Sequence, residues 1–437
     1  MDLLIRNVTA VTMDDARPVI PNAYIGVRDG KIVHLSAQPF AESADKIIDG
    51  GGKLCLPGLV NAHTHLAMTL MRGFADDYAL QEWLFDHVFP AERRLTPQDI
   101  YLGSLLGMAE LIATGTVSAT DMYMKIPEVA RAAFDAGIYA NISNGAICFD
   151  EQNYHFSTDP VTLQMEEVRH SWHNADAGRI RLDVSVHGEY TSFPRLWRAS
   201  ADYAQKHGLN MHVHLSETRR EQEDCVARRG KTPAAVLAEY GVFDTRSTAA
   251  HCVHVTDEDM SLLAEKRVTA AHNPVSNLKL ASGIARVQDM LNHGVSVALG
   301  TDGVCSNNSH DLFEEIKLAA LLQKNLTGDP TVLPAWQALK LATTGGAFAQ
   351  GREWEIGMLR EGYDASLILV DTARPGLTPI HDPVSALCYS AQGGDVCLTM
   401  VRGKVLYENG IFMTLDLERL RAEAKPALRR LFGGGEA

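Results

Sequence analysis

The chain has 437 residues, of which 46% are hydrophobic, and a formal net charge of −14. This length suffices for one large domain and a smaller one, each with a packed core. The acidic balance argues against a surface that tracks phosphates, and so against nucleic acid as a partner, but it is compatible with a small-molecule substrate.

Cysteine usage and the N-terminus indicate the compartment. The seven cysteines are scattered without a C-x-x-C pair, which predicts a reduced environment. The stretch MDLLIRNVTAVTMDD lacks the basic start and apolar core of a signal peptide, and no apolar run approaches the length of a membrane span. We therefore expect a cytoplasmic protein with no membrane partner. The sequence leaves the oligomeric state open, a homo-oligomer included.

Both ends of the chain have the pattern of short β-strands. DLLIRNVTAVTM alternates apolar and polar residues, and NAYIGVRDGKIVHL predicts a hairpin that turns at Asp29 and Gly30. Near the C-terminus, DASLILVD and CLTMVRGKVLYENG repeat the pattern, with a turn at Arg402 and Gly403. We therefore predict one small β-sandwich, built from residues 1–57 and 355–437, beside a central domain of residues 58–354.

The central segment alternates strand-like and helix-like stretches. One helix is predicted to start after Thr96, a capping residue, with Pro97 in its first turn. The strand candidates are residues 59–66, 116–123, 139–148, 181–190, 210–217, 247–255, 268–275 and 295–302. Eight βα units favour an α/β fold with a closed, TIM-type (β/α)8 barrel. An open doubly wound sheet is the alternative, although the glycine-rich phosphate loop typical of it is absent.

Two pairs of histidines stand at the ends of predicted strands. His63 and His65 lie in LVNAHTHLAM, and His212 and His214 lie in HVHLSE. Residues i and i+2 of a strand point to the same face, and the carboxyl ends of barrel strands form the active site. Two imidazoles there could bind one metal ion. An H-x-H pair alone is a weak signal, so each pair by itself leaves core packing open.

Three more polar residues lie at the carboxyl ends of other predicted strands. Glu217 follows the fifth strand, His251 ends the sixth and Asp302 ends the eighth. Metal ligands, a spare carboxylate and a spare histidine at one rim are difficult to explain by core packing. The pattern therefore favours a metal-dependent active site.

The longer motifs around these residues resemble those of a known family. PGLVNAHTHLAMTLMRG, HVHLSET, AHCVHV, HNPVSNLKLASG and LGTDGVCSNNSHDLF are similar to motifs of the amidohydrolase superfamily, and more closely to its methylthioadenosine/S-adenosylhomocysteine deaminases. The resemblance covers nearly the whole chain. It implies a distorted (β/α)8 barrel, a β-sandwich from both termini and one divalent metal ion, usually zinc.

The resemblance also implies roles for individual residues. The implied metal ligands are His63, His65, His214 and Asp302. The implied acid–base groups are Glu217, His251 and Asp302. Many relatives bridge two metals with a modified lysine at the end of strand four. The corresponding stretch LDVSVHGEY contains no lysine, so a single metal is expected.

Substrate contacts are implied by two further stretches. His187 matches a substrate-contacting histidine of the deaminases, and Glu82 and Trp83 in LQEWLF match a motif for gripping a nucleoside ribose. Glu217 and Asp302 are expected to contact the substrate as well as to act in the chemistry.

The expected reaction is hydrolytic deamination of an adenine nucleoside: 5′-methylthioadenosine, adenosine or S-adenosylhomocysteine. Asp302 would take a proton from the attacking water, His251 would stabilise the attack, and Glu217 would protonate a ring nitrogen and help ammonia to leave. The alternative is an aminohydrolase or chlorohydrolase for another heterocycle, such as a pterin, guanine or an s-triazine. Glu82 and Trp83 favour the nucleoside, because a ring without ribose needs no carboxylate for hydroxyl groups.

Two other classes of function are disfavoured. A non-catalytic scaffold would have lost some of the implied ligands, and none is lost here. A zinc site of the cytidine-deaminase type needs P-C-x-x-C ligands, which are absent.

The residue after strand three bears on the 5′ end of the substrate. Relatives that deaminate S-adenosylhomocysteine hold its carboxylate with arginines, one of them just after this strand. NISNGAICFD has Asn144 there, and the following EQNYHFSTDP contains no arginine. A carboxylate without a cationic partner loses a charge-assisted pair. We therefore expect a preference for 5′-methylthioadenosine or adenosine, unless an arginine from elsewhere fills the role.

Several neighbouring residues have simpler explanations. His212 lies one layer deeper than His214 and is expected in the barrel core. His272 is equally compatible with the core and with a place beside the metal ligands. Roles in loop stability, or mere proximity to the site, are expected for His254, His310, Cys252 and Cys305.

Overall fold

The computed structural model describes residues 1–39 and 42–433. Its strands, in chain order, are β1 (Leu3–Val11), β2 (Val19–Arg28), β3 (Lys31–Ser36), β4 (Lys46–Asp49), β5 (Lys53–Pro57), β6 (Leu59–Thr64), β7 (Thr116–Tyr123), β8 (Tyr139–Asn144), β9 (Ile180–Leu182), β10 (Val184–Val186), β11 (Met211–Leu215), β12 (Ser247–His251), β13 (Thr269–His272), β14 (Ser296–Leu299), β15 (Leu367–Asp371), β16 (Val396–Val401), β17 (Lys404–Glu408) and β18 (Ile411–Phe412).

Helices connect and cover the central strands. They are α1 (Leu80–Glu82), α2 (Phe89–Glu92), α3 (Pro97–Ala113), α4 (Ile126–Ala136), α5 (Pro160–Ser171), α6 (Ala175–Gly178), α7 (Pro194–His207), α8 (Arg219–Arg229), α9 (Pro233–Glu239), α10 (Asp257–Glu265), α11 (Pro274–Lys279), α12 (Val287–Asn292), α13 (Leu312–Thr327), α14 (Ala335–Leu341), α15 (Thr344–Ala349), α16 (Pro383–Tyr389) and α17 (Leu417–Phe432). Shorter 3-10 turns span Leu66–Met71, Phe156–Thr158, Glu189–Thr191, Pro375–Leu377 and Gly393–Asp395, and a π-helical turn spans Trp83–Val88. Within the described ranges, no helix is both long and apolar enough to cross a membrane.

The terminal strands form one nine-stranded sheet in the order β18-β17-β16-β15-β5-β1-β2-β3, with β4 beside β1. Strand β5 joins the two ends of the chain, because it pairs with β1 on one edge and with β15 on the other. The predicted union of both termini is therefore present. The predicted sandwich is not confirmed, since these strands hydrogen-bond edge to edge within a single sheet.

Both predicted hairpins are confirmed. Asp29 and Gly30 join β2 to β3 with φ angles of 51° and 74°, and Arg402 and Gly403 join β16 to β17 with φ angles of 49° and 75°. Two consecutive left-handed residues are what a type I′ turn requires, and its twist matches that of the flanking strands.

The central strands form two parallel sheets, one of β6 to β9 and one of β10 to β14. Two isolated bridges link the sheets: Thr64 of β6 pairs with Asp302 after β14, and Ala146 after β8 pairs with Val186 of β10. Each of the eight predicted strand positions contains a strand.

The fourth predicted strand, residues 181–190, differs from the prediction. It is divided into β9, which pairs with β8, and β10, which pairs with β11. The division falls at Asp183, whose buried carboxylate accepts hydrogen bonds from Asn141 at 2.9 Å and Asn210 at 3.1 Å. The chain therefore passes from one sheet to the other where side-chain hydrogen bonds fix the backbone.

Helix α3 begins as predicted, with Thr96 as its N-cap and Pro97 in its first turn. The backbone N–H of Thr96 donates to Asp99 Oδ2 at 2.6 Å, and the backbone N–H of Asp99 donates to Thr96 Oγ1 at 3.3 Å, which completes a capping box. The helix packs against the 3-10 turn Leu66–Met71, which directly follows β6. The capped helix therefore supports the segment that continues the first central strand.

A buried arginine ties the segment after α15 to the four-stranded sheet. The fully buried Arg352 donates to the carbonyl oxygens of Gly178 at 2.8 Å and Arg179 at 2.9 Å, and to Asn141 Oδ1 at 3.2 Å. An interior charge persists only with such partners, so this contact set is a strong structural constraint.

We predict that Arg352→Met lowers the free energy of unfolding by about 3–5 kcal/mol, because the acceptors lose their buried donor. Urea unfolding followed by circular dichroism measures the change. Arg360→Met removes the same group from an exposed position and should stay within about 0.5 kcal/mol of wild type. Coincident unfolding curves for the two variants would contradict the role of Arg352.

Candidate active site

Four side chains at the carboxyl ends of the central strands converge in the interior. Asp302 Oδ1 lies 3.3 Å from His63 Nε2 and 3.1 Å from His65 Nε2. His214 Nε2 lies 3.3 Å from His65 Nε2, and all four residues are buried. Three imidazole nitrogens and one carboxylate oxygen therefore face a common centre, which is a donor set suited to a divalent metal ion.

Backbone carbonyls fix two of these imidazoles from behind. His65 Nδ1 contacts the carbonyl oxygen of Met122, and His214 Nδ1 lies 2.7 Å from that of His187. A carbonyl only accepts, so Nδ1 carries a hydrogen in both rings, and in the neutral form of each ring Nε2 keeps its lone pair. His63 Nε2 is also buried, and it has no hydrogen-bond partner among the described residues. These free nitrogen atoms are what a metal ion requires.

Asp302 presents only one of its oxygens to the histidines. Its Oδ2 accepts hydrogen bonds from Ser276 Oγ at 2.6 Å and Ser306 Oγ at 2.7 Å. The next residue is Gly303, where an added Cβ would lie 3.2 Å from the Cβ of His65. A glycine at this point lets the segment after β14 approach the segment after β6, and so brings Asp302 Oδ1 to the imidazoles.

His251 and Glu217 form a pair beside this centre. His251 ends β12 with φ at 73°, a left-handed conformation that is uncommon for a residue with a side chain and clusters at functional sites. Its Nδ1 lies 2.8 Å from Asn277 Oδ1, and its Nε2 lies 3.8 Å from Glu217 Oε2. Possible ligand atoms within 4.8 Å of one another belong to His63, His214, His251 and Asp302. His251 therefore borders the donor set and also faces the glutamate.

The position of Glu217 is fixed by its neighbours. Glu221 accepts the backbone N–H groups of Ser216 and Glu217, each at 2.8 Å, and Ser282 Oγ donates to Glu217 Oε1 at 3.2 Å. Burial raises the pKa of Glu217, against the opposing effect of His251. Glu217 therefore retains a proton at higher pH than an exposed carboxyl group, as a general acid requires.

Burial and neighbouring charges shift the pKa values of the four converging side chains in different directions. Burial lowers the pKa of His63 to about 4 and that of His214 well below its ordinary value. Burial acts in the same direction on His65, but contact with Asp302 raises the pKa of His65 to about 9. Burial also opposes ionisation of Asp302, yet both histidines hold its pKa well below the usual range. Asp302 is therefore an anion that needs a cationic partner, either a proton on His65 or a metal ion.

A pocket leads to these groups, and its volume is about 660 Å³ when the open space at its mouth is included. Its polar end is formed by His65, His187, His214, Glu217, His251 and Asp302. Its apolar wall consists of Met68, Leu80, Leu84, Phe89, Met122, Met124, Ile147 and Leu280. None of the described residues that line it is a lysine or an arginine. The pocket therefore suits a largely uncharged molecule with one polar, reactive end.

The residues proposed to contact substrate do not all reach the pocket. Trp83 and His187 line it, but Glu82 is exposed and lies outside the lining. Glu82 directly precedes the π-helical turn Trp83–Val88, and such a turn changes the angular spacing of side chains along a helix. The motif LQEWLF therefore contributes its tryptophan to the pocket and not its carboxylate.

Glu92 is the lining residue that the sequence interpretation missed. It ends α2, is buried, and burial raises its pKa to about 7. Trp83 Nε1 is buried on the same pocket and has no hydrogen-bond partner among the described residues. The sequence signal for Glu92 is its position directly after the apolar run VFPA. Glutamate is almost never buried without a partner, so a glutamate next to a buried run is a candidate for binding a ligand.

Four other histidines noted in the sequence lie in different surroundings. His212 is buried as expected, but its Nε2 lies 3.0 Å from His63 Nδ1, so it does more than fill the core. His272 is buried with neither ring nitrogen hydrogen-bonded within the described structure, and it does not line the pocket. The expected loop contacts are present for His254, at 2.7 Å from a backbone carbonyl, and for His310, at 3.1 Å from a hydroxyl.

Asn144 does not reach the pocket either. It is buried, and its amide donates to Gln164 Oε1 at 3.2 Å. The next residue, Gly145, does line the pocket. The backbone after β8 is therefore close to the site, while the side chain of Asn144 is engaged elsewhere.

Known proteins share this arrangement over the full chain. Residues 54–406 match the Amidohydrolase family. The chain is 43% identical over 434 residues to a 5-methylthioadenosine/S-adenosylhomocysteine deaminase of Acetivibrio thermocellus, covering 99% of this chain and 100% of the relative. It is 42% identical over 437 residues to a 5′-deoxyadenosine deaminase of Methanosarcina acetivorans, covering 100% of both chains.

Among solved structures, an adenosine deaminase from Xanthomonas campestris with bound zinc superposes with a TM-score of 0.93 at 32% identity and covers 98% of both chains. The chain belongs to the amidohydrolase family. The resemblance indicated by its motifs is therefore confirmed.

Proposed function

We propose that this protein hydrolyses the exocyclic amino group of an adenine nucleoside, releasing ammonia and the inosine analogue. The observation that carries the proposal is the polar end of the pocket, where three imidazole nitrogens and one carboxylate oxygen converge beside a buried glutamate with a raised pKa. The activities named for the two relatives support the same reaction.

The donor set fits one divalent cation. His63 Nε2 is buried without a hydrogen-bond partner among the described residues, and His65, His214 and Asp302 complete a set of nitrogen and oxygen ligands typical of zinc. Bound zinc would supply a Lewis acid that activates a water molecule near neutral pH. A single ion is proposed because residues 182–190 contain no lysine that could bridge two.

The protein's own groups provide the proton transfers. The two histidines hold the pKa of Asp302 well below its usual range, so its carboxylate, whose Oδ1 faces them, can accept a proton from the attacking water. Burial raises the pKa of Glu217, so it can donate a proton to the ring nitrogen beside the attacked carbon. Glu217 then assists the departure of ammonia, whose additional proton is the one that Asp302 accepted. His251 is held by Asn277 with Nε2 toward Glu217, where it can hydrogen-bond the incoming water.

Ribose recognition is assigned to Glu92 and Trp83. Glu92 supplies a buried carboxylate that can accept hydrogen bonds from two neighbouring hydroxyls, and Trp83 Nε1 is a buried donor with no partner in the described chain. His187 lines the pocket with a pKa that burial lowers to about 3, so it is neutral and available to the heterocycle. Glu82 has no such role, because its side chain is exposed.

The architecture that supports this site is proposed to be a closed barrel. The bridge between Thr64 and Asp302 links β6 to the segment after β14, and the bridge between Ala146 and Val186 links the segment after β8 to β10. We infer that the two parallel sheets form one distorted (β/α)8 barrel of residues 58–354. The remaining residues, 1–57 and 355–437, would form the second domain.

Glu217→Gln should keep one zinc ion per chain and lose about 10²–10⁴-fold in kcat, because an amide cannot deliver the proton. Elemental analysis and steady-state ammonia release from adenosine measure the two effects. Glu223→Gln, at an exposed position of α8, the helix that follows Glu217, is the matched control and should retain activity. Near-normal turnover of Glu217→Gln would remove the residue from the mechanism, and two metals per active chain would contradict the single-ion site.

Glu92→Gln should lower kcat/KM for adenosine by about 10–100-fold and leave 2′,3′-dideoxyadenosine nearly unaffected, because a charged acceptor contributes roughly 1.5–3 kcal/mol per hydrogen bond. Glu82→Gln is the matched control and should affect neither substrate. Equal losses on both nucleosides would show that Glu92 does not contact the ribose, and the heterocycle alternative would gain.

The same pair of substrates tests the charge of Glu92. Its pKa is raised to about 7, so the carboxylate becomes protonated and loses acceptor strength as the pH falls through that value. The ratio of kcat/KM for adenosine to that for the dideoxynucleoside should therefore decrease below about pH 7. The ratio cancels pH effects on the shared chemistry, and its pH dependence should be absent in Glu92→Gln.

The apolar wall favours substrates with an uncharged 5′ group. Met124 and Ile147 follow β7 and β8 and line the pocket, and no described lining residue carries a positive charge. Asn144 offers no replacement, since it is hydrogen-bonded to Gln164. A free amino-acid carboxylate at the 5′ end would therefore lose its water without gaining a cation.

We predict that kcat/KM for 5′-methylthioadenosine or adenosine exceeds that for S-adenosylhomocysteine by about 10–100-fold, the value of one missing charge-assisted contact. The three substrates are compared at one pH and one zinc loading. 5′-Butylthioadenosine is the control for length, and it should behave like 5′-methylthioadenosine. A preference for S-adenosylhomocysteine would mean that a cation outside the described lining binds the carboxylate.

A further inference from the structure

The partner of His63 differs in kind from those of the other two imidazoles. His65 and His214 rest on carbonyl oxygens, which accept a hydrogen bond and cannot donate one. His63 Nδ1 instead lies 3.0 Å from His212 Nε2, across a sequence separation of 149 residues. An imidazole nitrogen can either accept or donate, so this contact by itself does not fix the hydrogen position on His63.

The contact exists because of the strand geometry. His212 and His214 are two residues apart on β11, so their side chains share a face and lie in successive layers. His214 Nε2 faces the donor centre, while His212, one layer deeper, meets the rear nitrogen of His63. Both rings of the contact are buried, and their centroids are 5.0 Å apart.

Two arrangements of hydrogens satisfy this contact. In the first, His63 Nδ1–H donates to His212 Nε2, the hydrogen of His212 is on its Nδ1, and His63 Nε2 keeps a lone pair. In the second, His212 Nε2–H donates to His63 Nδ1, and His63 Nε2–H points toward Asp302 Oδ1 at 3.3 Å. Only the first arrangement offers a ligand atom to a cation.

Each arrangement has a cost that the other avoids. The first leaves an N–H at His212 Nδ1, which is buried without a hydrogen-bond partner in the described chain. The second gives the anionic Asp302 a donor but removes the lone pair of His63. A cation beside Asp302 replaces that donor and so favours the first arrangement.

We propose that His212 is a positioning residue that switches the hydrogen of His63: it donates to His63 in the metal-free protein and accepts from His63 when a metal binds. This inference rests on the metal site of the proposed function. A carbonyl in the same place would hold His63 permanently in its ligand form, whereas His212 allows Asp302 to be hydrogen-bonded before the metal arrives.

Zinc affinity tests the accepting role. Competition with a chromophoric chelator gives the dissociation constant of Zn²⁺ for wild type, His212→Leu and His212→Gln. Losing the partner of a ligating histidine typically costs 10–100-fold in metal affinity, and we expect about that loss for His212→Leu. His212→Gln should lose much less, because its amide oxygen can accept the hydrogen bond. His272→Leu removes a buried imidazole without a hydrogen-bond partner in the described chain and should bind zinc like wild type.

Thermal unfolding of the metal-free variants separates folding from affinity. Wild-type zinc affinity in a folded His212→Leu, or equal losses in His212→Leu and His212→Gln, would show that the imidazole only packs. If wild type itself binds no zinc, the proposed metal site fails, and this outcome is distinct from failure of the role of His212.

Nuclear magnetic resonance of wild type labelled with ¹⁵N-histidine needs no substitution at the site. The ring nitrogen shifts of His212, assigned by their absence in His212→Gln, report which nitrogen carries the hydrogen. We expect Nε2–H without zinc and Nδ1–H with zinc. The same tautomer in both states would overturn the proposal.

Discussion

The buried negative charge of Asp302 is the constraint on which the site depends. Two serine hydroxyls satisfy Oδ2, while Oδ1 faces the ring nitrogens of His63 and His65. An ionised carboxylate in the interior is unfavourable unless it is paired. Contact with Asp302 raises the pKa of His65, which can therefore carry a proton that pairs with Asp302, whereas burial lowers the pKa of His63 and His214. The affinity of the site for a cation follows from this incomplete compensation.

The pocket combines this charged end with an apolar wall, and the two parts have different consequences. Water excluded by the wall leaves the electrostatic interactions at the polar end less screened, which strengthens both metal binding and proton transfer. Glu92 also lines the pocket, and burial raises the pKa of its carboxyl group to about 7. Under the proposed function, recognition of the substrate would depend on a few polar groups whose interactions are strengthened by the apolar residues around them.

Local signals in the sequence predicted much of the fold. Helix α3 was predicted from Thr96 as a capping residue and Pro97 in the first turn, and the two hairpins were predicted from turn residues that tolerate a left-handed backbone. The eight central strands were predicted from apolar runs between helices. The fourth strand was placed correctly, but its division was not predicted. At the break, Asp183 is hydrogen-bonded to Asn141 of β8 and to Asn210, which precedes β11, and these contacts are distant in sequence. The arrangement of the terminal strands in one sheet likewise depends on pairing between the two ends of the chain.

The sequence by itself determined which residues could converge, because a parallel arrangement of strands brings their carboxyl ends to one rim. The rule and the residue types indicate His63, His65, His214, Glu217, His251 and Asp302. The resemblance of the motifs to a known family implied which four of them would bind the metal. The tertiary structure decided the contacts that no local spacing encodes. Glu82 is exposed although the adjacent Trp83 lines the pocket, and a contact across 149 residues gives His212 its partner His63. Such relations depend on how side chains meet across elements, and the order of residues along one element does not contain them.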